Sequence, residues 1–239
     1  MTYISDILGA GADHLYTLDN TASDENGTAA DGTTTGSSYT TSPLCEGATN
    51  ALLLDSANDR FTFPVVNAIT NQKSRKAIAG WFSTTAVQQP PCAIYTEGRA
   101  TEHSWKIVLG FGNSVLFEWD FGTTVIKIFA DVALVPNRAY HFCMNFEGTD
   151  FNNFCKAYLD GVPQTDSTDT APDETVMTGR TLSEIGRSSD TQQIDNTTIL
   201  TVSPVNGLYN YWAFLDGGAS GSLTDTKVRE IFFEKGALA

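Results

Sequence analysis

The residues best suited to chemistry in this sequence are Glu118 and Asp120, in the run Ser114-Val115-Leu116-Phe117-Glu118-Trp119-Asp120. On an extended chain, positions i and i+2 share a face roughly 6–7 Å apart, within the separations spanned by carboxylate pairs that cleave glycosidic bonds. One acid of such a pair must keep its proton at neutral pH, which needs a third partner or an apolar pocket, and the sequence places neither beside it. The pair is therefore read as a solvated strand face, not as a catalytic dyad. The three histidines, His14, His103 and His141, show no paired spacing, no HExxH pattern and no serine elbow, so neither a zinc hydrolase nor a catalytic triad is expected. Cys45, Cys92, Cys143 and Cys155 lack metal-ligand spacing and are too sparse to staple 239 residues. Cys143 and Cys155 fall nearly opposite each other in an expected hairpin, where a cross-strand bond is conceivable; reduced thiols are expected in a cytosolic product. Sugar rings stack on aromatic faces, and Tyr95, Trp105, Trp119, Tyr209 and Trp212 are the glycan-binding candidates, although each suits sheet filling equally well. Trp81 is read as core.

The elements that must position these groups are strands. Short apolar stretches separated by Gly, Asn, Asp and Pro clusters, with 11% aromatic residues and Thr the commonest residue, describe an all-β chain. In 76–84 apolar residues occupy both faces, which places that strand mid-sheet. In 139–147 Tyr140, Phe142, Met144 and Phe146 form a core face, and His141, Cys143 and Asn145 a wetter one. The segments 139–147 and 154–161 should be antiparallel neighbours. Residues 21–49 have no amphipathic period and are expected as a long surface loop. Near the C-terminus Thr224 can cap a helix whose buried stripe is Val228, Ile231 and Phe232, with Leu223 and Val228 as a hydrophobic staple.

Fourteen Lys and Arg against 28 Asp and Glu leave a formal charge of −14, which repels phosphate backbones and anionic lipids; nucleic acid and membrane are excluded as expected partners. No run approaches the roughly 20 apolar residues of a membrane span, and residues 1–13 lack the basic and apolar regions of a signal peptide, so synthesis in a cytosol is expected. Asn26-Gly27-Thr28 and Asn196-Thr197-Thr198 fit glycosylation acceptors and are read as ordinary turns.

Several segments in common order resemble the concanavalin A-like lectin/glucanase superfamily, in its laminin G-like, pentraxin-related branch. They are Leu15-Tyr16-Thr17-Leu18-Asp19-Asn20, the run Ala51 to Phe61, Ile78-Ala79-Gly80-Trp81-Phe82, Pro136 to Phe142, Tyr158-Leu159-Asp160-Gly161-Val162-Pro163, and Val205-Asn206-Gly207-Leu208 with Phe214-Leu215-Asp216 and the terminal helix. The resemblance implies an all-β jelly-roll sandwich of two antiparallel sheets with one short C-terminal helix. Residues 1–12 would be a lead-in or docking segment and 13–239 a single domain. The glucanase strand motif E-x-D-x-x-E is matched at Glu118 and Asp120, but Gly122 and Thr123 stand where the last acid belongs. Where the branch carries an acid in "I-D-E-V", this chain has Leu208-Tyr209-Asn210-Tyr211, and Cys143 matches one half of the pentraxin disulfide without its partner. Calcium is common in the branch; Asp190 and Asp195 are the candidate ligands, with Asp19 and Asp24 as a second cluster, though hard cations want more oxygens than either supplies. No other cofactor is expected.

The reading that follows is a non-catalytic virion surface protein, such as a phage capsid decoration, head-fibre or tail-fibre module, with other virion subunits as partners. Host-surface glycans are its candidate ligands. A stand-alone carbohydrate-binding lectin is the alternative, and a glucanase the third reading. Sheet edges favour a homo-oligomer.

Overall fold

The computed structural model describes residues 7–26, 30–64, 75–85, 92–98, 104–109, 114–120, 125–147, 155–164, 166–167, 183–186, 192–194, 197–199, 203–216, 224 and 226–229. Its strands form two sheets packed face to face, a jelly-roll sandwich as expected. In the first sheet Val162–Gln164, Cys155–Leu159, Ala139–Glu147, Arg75–Thr84, Gly207–Asp216, Ala51–Leu54 and Ser38–Thr40 lie side by side in that order, and His14–Tyr16 also pairs with Gly207–Asp216. In the second the order is Asp166–Ser167, Val125–Ala133, Ser114–Asp120, Ser104–Leu109, Cys92–Glu97, Ser183–Gly186, Arg60–Thr62 and Thr33–Thr35. Ser203–Pro204 adds a parallel pairing to Cys92–Glu97, and Gln192–Ile194 with Thr197–Ile199 makes a separate ribbon.

The core lies between the sheets. Ile78, Phe82, Phe142 and Trp212 of the first meet Tyr95, Trp105, Phe117 and Trp119 of the second, all buried. Tyr95 and Trp212 approach with ring centroids 5.7 Å apart, and Trp105 meets Phe146 edge to face at 6.3 Å. Arg75–Thr84 is mid-sheet, between Ala139–Glu147 and Gly207–Asp216. Gly80 sits on its core side because a Cβ there would lie 2.7 Å from the Trp212 ring. At one end of the core an ion pair is enclosed: Lys76 Nζ donates to Glu97 Oε1 at 2.5 Å, and the Tyr95 hydroxyl donates to Glu97 Oε2 at 2.8 Å.

The first sheet is covered on both faces, which corrects the wetter face expected for 139–147. His141 and Cys143 are as buried as Phe142. A second apolar cluster over this outer face gathers Ile7, Ala12, Leu44, Cys45, Trp81, Cys143, Tyr211 and Val228. The N-terminal segment thus spends Ile7 on its own domain. Thr224 caps the C-terminal helical turn as read, its Oγ1 accepting the Lys227 N–H at 3.2 Å, and Val228 is the buried contact; Leu223, Ile231 and Phe232 lie outside the described residues. Residues 21–49 are not wholly loop, because Thr33–Thr35 and Ser38–Thr40 add an edge strand to each sheet, with Gly36 at φ 73° making the crossing.

Candidate functional site

Glu118 and Asp120 share a face as the two-residue period requires, on the side of the second sheet turned away from the core. Register places Thr62, Glu184, Thr96, Lys106, Glu118 and Lys127 in one row across successive strands. Lys106, which sequence reading passed over, decides the chemistry of this row. Its Nζ donates to Glu118 Oε1 at 3.0 Å and stands 3.8 Å from Asp120 Oδ2. The expected solvated face is corrected: Glu118 is 1% exposed, Asp120 4% and Lys106 0%. The Thr96 and Ser104 hydroxyls beside Lys106 are buried and have no hydrogen-bond partner among the described residues. The apolar cluster Ala93, Val108 and Leu116 continues the same face.

The five aromatic candidates for sugar stacking are corrected too. Tyr95, Trp105, Trp119, Tyr209 and Trp212 are each 0% exposed in the inter-sheet core, so none presents a ring face to a ligand. Trp105 packs on Trp119 at 6.0 Å, and the Tyr209 hydroxyl donates to the Val205 carbonyl at 2.8 Å. The calcium candidates Asp190 and Asp195 lie outside the described residues. Asp19 and Asp24 are held by separate partners, and among the described residues no three or more His, Cys, Asp or Glu gather as a metal would need. Burial works against the Asp19 charge, but four hydrogen bonds from Thr49 and Asn50 outweigh it and hold the carboxyl below its ordinary range. Asp24 accepts from His14 Nδ1 at 2.8 Å and from the Leu15 N–H at 3.0 Å. Cys143 pairs with Tyr158 and Cys155 with Phe146, three positions out of step on opposite faces, so no disulfide joins them, and the Cys143 thiol donates to Asn145 Oδ1 at 3.4 Å.

The outer side of the first sheet carries a different arrangement, a cavity of about 550 Å³ within the size range of small-ligand sites. Its apolar walls are Pro43, Leu44, Trp81 and Leu208, and its polar groups come from Ser42, Ser83, Asn137, Arg138 and Asp160. Two turns bring the charged pair together. Pro136-Asn137, with Asn137 at φ 64°, has the residue types and left-handed second position of a type II turn and delivers Arg138 to the rim. Asp160-Gly161, with φ 51° and 71° between the paired Leu159 and Val162, is a two-residue hairpin loop of type I′ and delivers Asp160. Arg138 Nη2 donates to Asp160 Oδ2 at 2.7 Å, while the His141 N–H donates to Asp160 Oδ1 at 2.9 Å. Burial pushes the Asp160 carboxyl up, more than those two bonds and the Arg138 charge pull it down. The guanidinium lies 4.7 Å over the Tyr140 ring. The loop wall is tied down by Asn210: its Oδ1 accepts the Leu44 N–H at 3.0 Å and its amide donates to the Asn50 carbonyl at 2.8 Å. Asn210 stands in the stretch where the sequence departs from the laminin G-like pattern, and that departure was the available signal. Trp81 is core as read, 1% exposed and 5.0 Å from the His141 ring, yet it also backs this cavity.

No protein-family model and no curated protein sequence matches this chain. Solved structures do. Domain 4 of AbnA, a GH43 extracellular arabinanase from Geobacillus stearothermophilus in complex with arabinotriose, superposes with a TM-score of 0.69 at 17% identity, covering 93% of this chain and 98% of that one. The botulinum neurotoxin serotype D binding domain gives 0.67 at 11% identity over 95% of this chain and 52% of that one. The native heptameric SAP-like pentraxin from Limulus polyphemus gives 0.50 at 12% identity over 74% and 83%. At such identities the likeness is one of fold, a jelly-roll sandwich.

Proposed function

We propose that this chain is a non-catalytic glycan-binding module that works on a virion surface, as a capsid decoration, head-fibre or tail-fibre component. The observation that carries the binding reading is the cavity at Trp81, Ser83, Arg138 and Asp160, which joins apolar walls to convergent donors and acceptors. Neighbours of the same fold include one solved with arabinotriose and a neurotoxin binding domain, which supports the reading without transferring a ligand. The hydrolase reading is disfavoured by Lys106: an acid and a nucleophile must both reach a sugar, whereas Glu118 and Asp120 flank an ammonium group and are closed to solvent. No cofactor is proposed for the cavity, since its described lining holds one carboxylate, fewer oxygens than calcium takes. The virion setting rests on the acidic composition and the Thr- and Ser-rich edge segments, and homo-oligomerisation through sheet edges would suit it.

The test is a glycan array followed by titration with any binder, using the wild type and Ser42→Trp. Ser42 is exposed on the cavity wall, so an indole there fills the cavity with little strain on the fold. Binding by the wild type and loss in the variant at unchanged melting temperature is the expected result; an empty array, or indifference to Ser42→Trp, overturns the reading. The virion setting is tested by mass spectrometry of purified particles, where a fixed copy number is expected and absence removes it.

A further inference from the structure

We infer that the cavity takes a neutral sugar, gripped through two adjacent hydroxyls by the Asp160 carboxylate as acceptor and the Arg138 guanidinium as donor. The inference rests on the glycan reading above and goes on to name the ligand class and the two side chains that read it. An ionised carboxylate accepts about four hydrogen bonds. Asp160 uses one position on each oxygen, for the His141 N–H and for Arg138 Nη2, and its side chain keeps 16% of its surface open at the cavity. Each oxygen therefore retains an acceptor position, and two neighbouring hydroxyls are the donors that suit such a pair. Arg138 commits one of five N–H groups to Asp160 and leaves its side chain 58% exposed. Its plane is held by the Tyr140 ring, and that ring is itself held by the Val135 N–H donating to its hydroxyl at 2.7 Å. Donor and acceptor are thus oriented before a ligand arrives, which lowers the ordering cost of binding.

Charge selects against acidic sugars. The Arg138–Asp160 pair has no net charge, no other charged residue is among the described lining, and the whole chain carries −14. A uronic or sialic carboxylate would have to take Arg138 from Asp160 and approach against that field, whereas a neutral diol bridges the pair as it stands.

The experiment is calorimetric titration of the full chain with matched neutral and carboxylated oligosaccharides, for the wild type, Asp160→Asn and Arg138→Gln. Asparagine suits a type I′ turn as well as aspartate does, so Asp160→Asn keeps the loop while removing the charged acceptor. Expected are binding of neutral sugars alone, little dependence on salt, and a weakening of about tenfold to a hundredfold in each variant, as for hydrogen bonds to charged groups. Preferential binding of carboxylated sugars, or neutral-sugar affinity unchanged by Asp160→Asn, overturns this inference. If such ligands are still lost in Ser42→Trp, the glycan reading survives; if neither class binds at all, both fall.

Discussion

The outer faces of the two sheets use the same charged vocabulary to opposite ends. On the second sheet Lys106 meets Glu118 and Asp120 from the middle of neighbouring strands, and burial leaves these groups no surface from which to act on a ligand. On the first sheet Arg138 and Asp160 stand at turns beside a cavity, with the Arg138 side chain 58% exposed and the Asp160 side chain 16%. A charge in the middle of a buried sheet persists only when its neighbours satisfy it, and that satisfaction removes it from chemistry. A charged pair on turns at a cavity rim bears part of that penalty, as the raised Asp160 carboxyl shows, yet keeps open surface from which to meet a ligand. The motif that looks catalytic in the sequence is therefore the inert one, and an unremarkable Asp-Gly turn supplies the better site.

The largest expected effect comes from breaking the closed face. Lys106→Met leaves two carboxylates buried without their cation and should cost about 3–5 kcal/mol in urea unfolding, with much of it regained when Glu118→Leu is added. Asp160→Asn, at the more open pair, should cost under about 1 kcal/mol in the same assay. Equal costs would erase the contrast.

The next effect is acid sensitivity of the first sheet. Burial lowers the His141 pKa to about 3, so the folded protein holds the ring neutral while the unfolded chain binds a proton below about 6.5. The unfolded state then carries more protons, and stability is full above that pH. It is lost as pH falls toward 3, by up to about 1.4 kcal/mol per pH unit. Urea midpoints between pH 6.5 and 4.5, above the range of most carboxylates, should show the slope, and His141→Leu should flatten it. The smallest effect is Thr96→Val on the closed face. It removes a buried hydroxyl that has no partner among the described residues and should be neutral to about 1 kcal/mol stabilising in thermal unfolding; a loss would mean that the hydroxyl is satisfied in solution.

Much of the fold was legible because strand identity, turns and caps are local. The mid-sheet place of Arg75–Thr84 and the Thr224 cap each follow from a few adjacent residues, whereas Asp160-Gly161, expected as the end of a strand over 154–161, forms the turn after Cys155–Leu159. Each of the aromatic candidates suited sheet filling as well as sugar stacking, and which strand face meets the other sheet depends on packing. That is why Trp105 and Trp119 proved to be core. Lys106 escaped notice because its partnership with Glu118 is a matter of cross-strand register, and the cavity did so because its walls come from residues 42–44, 81–83, 137–139, 160 and 208.

Alternation of side chains along the chain was enough to specify strands, their two faces and the sandwich class, since the pleat repeats every two residues whatever surrounds it. Which faces water reaches, which carboxylate is neutralised and where a ligand has room were decided only by tertiary structure. Burial, cross-strand pairing and cavities belong to segments far apart in sequence, and their energies exist only once those segments meet.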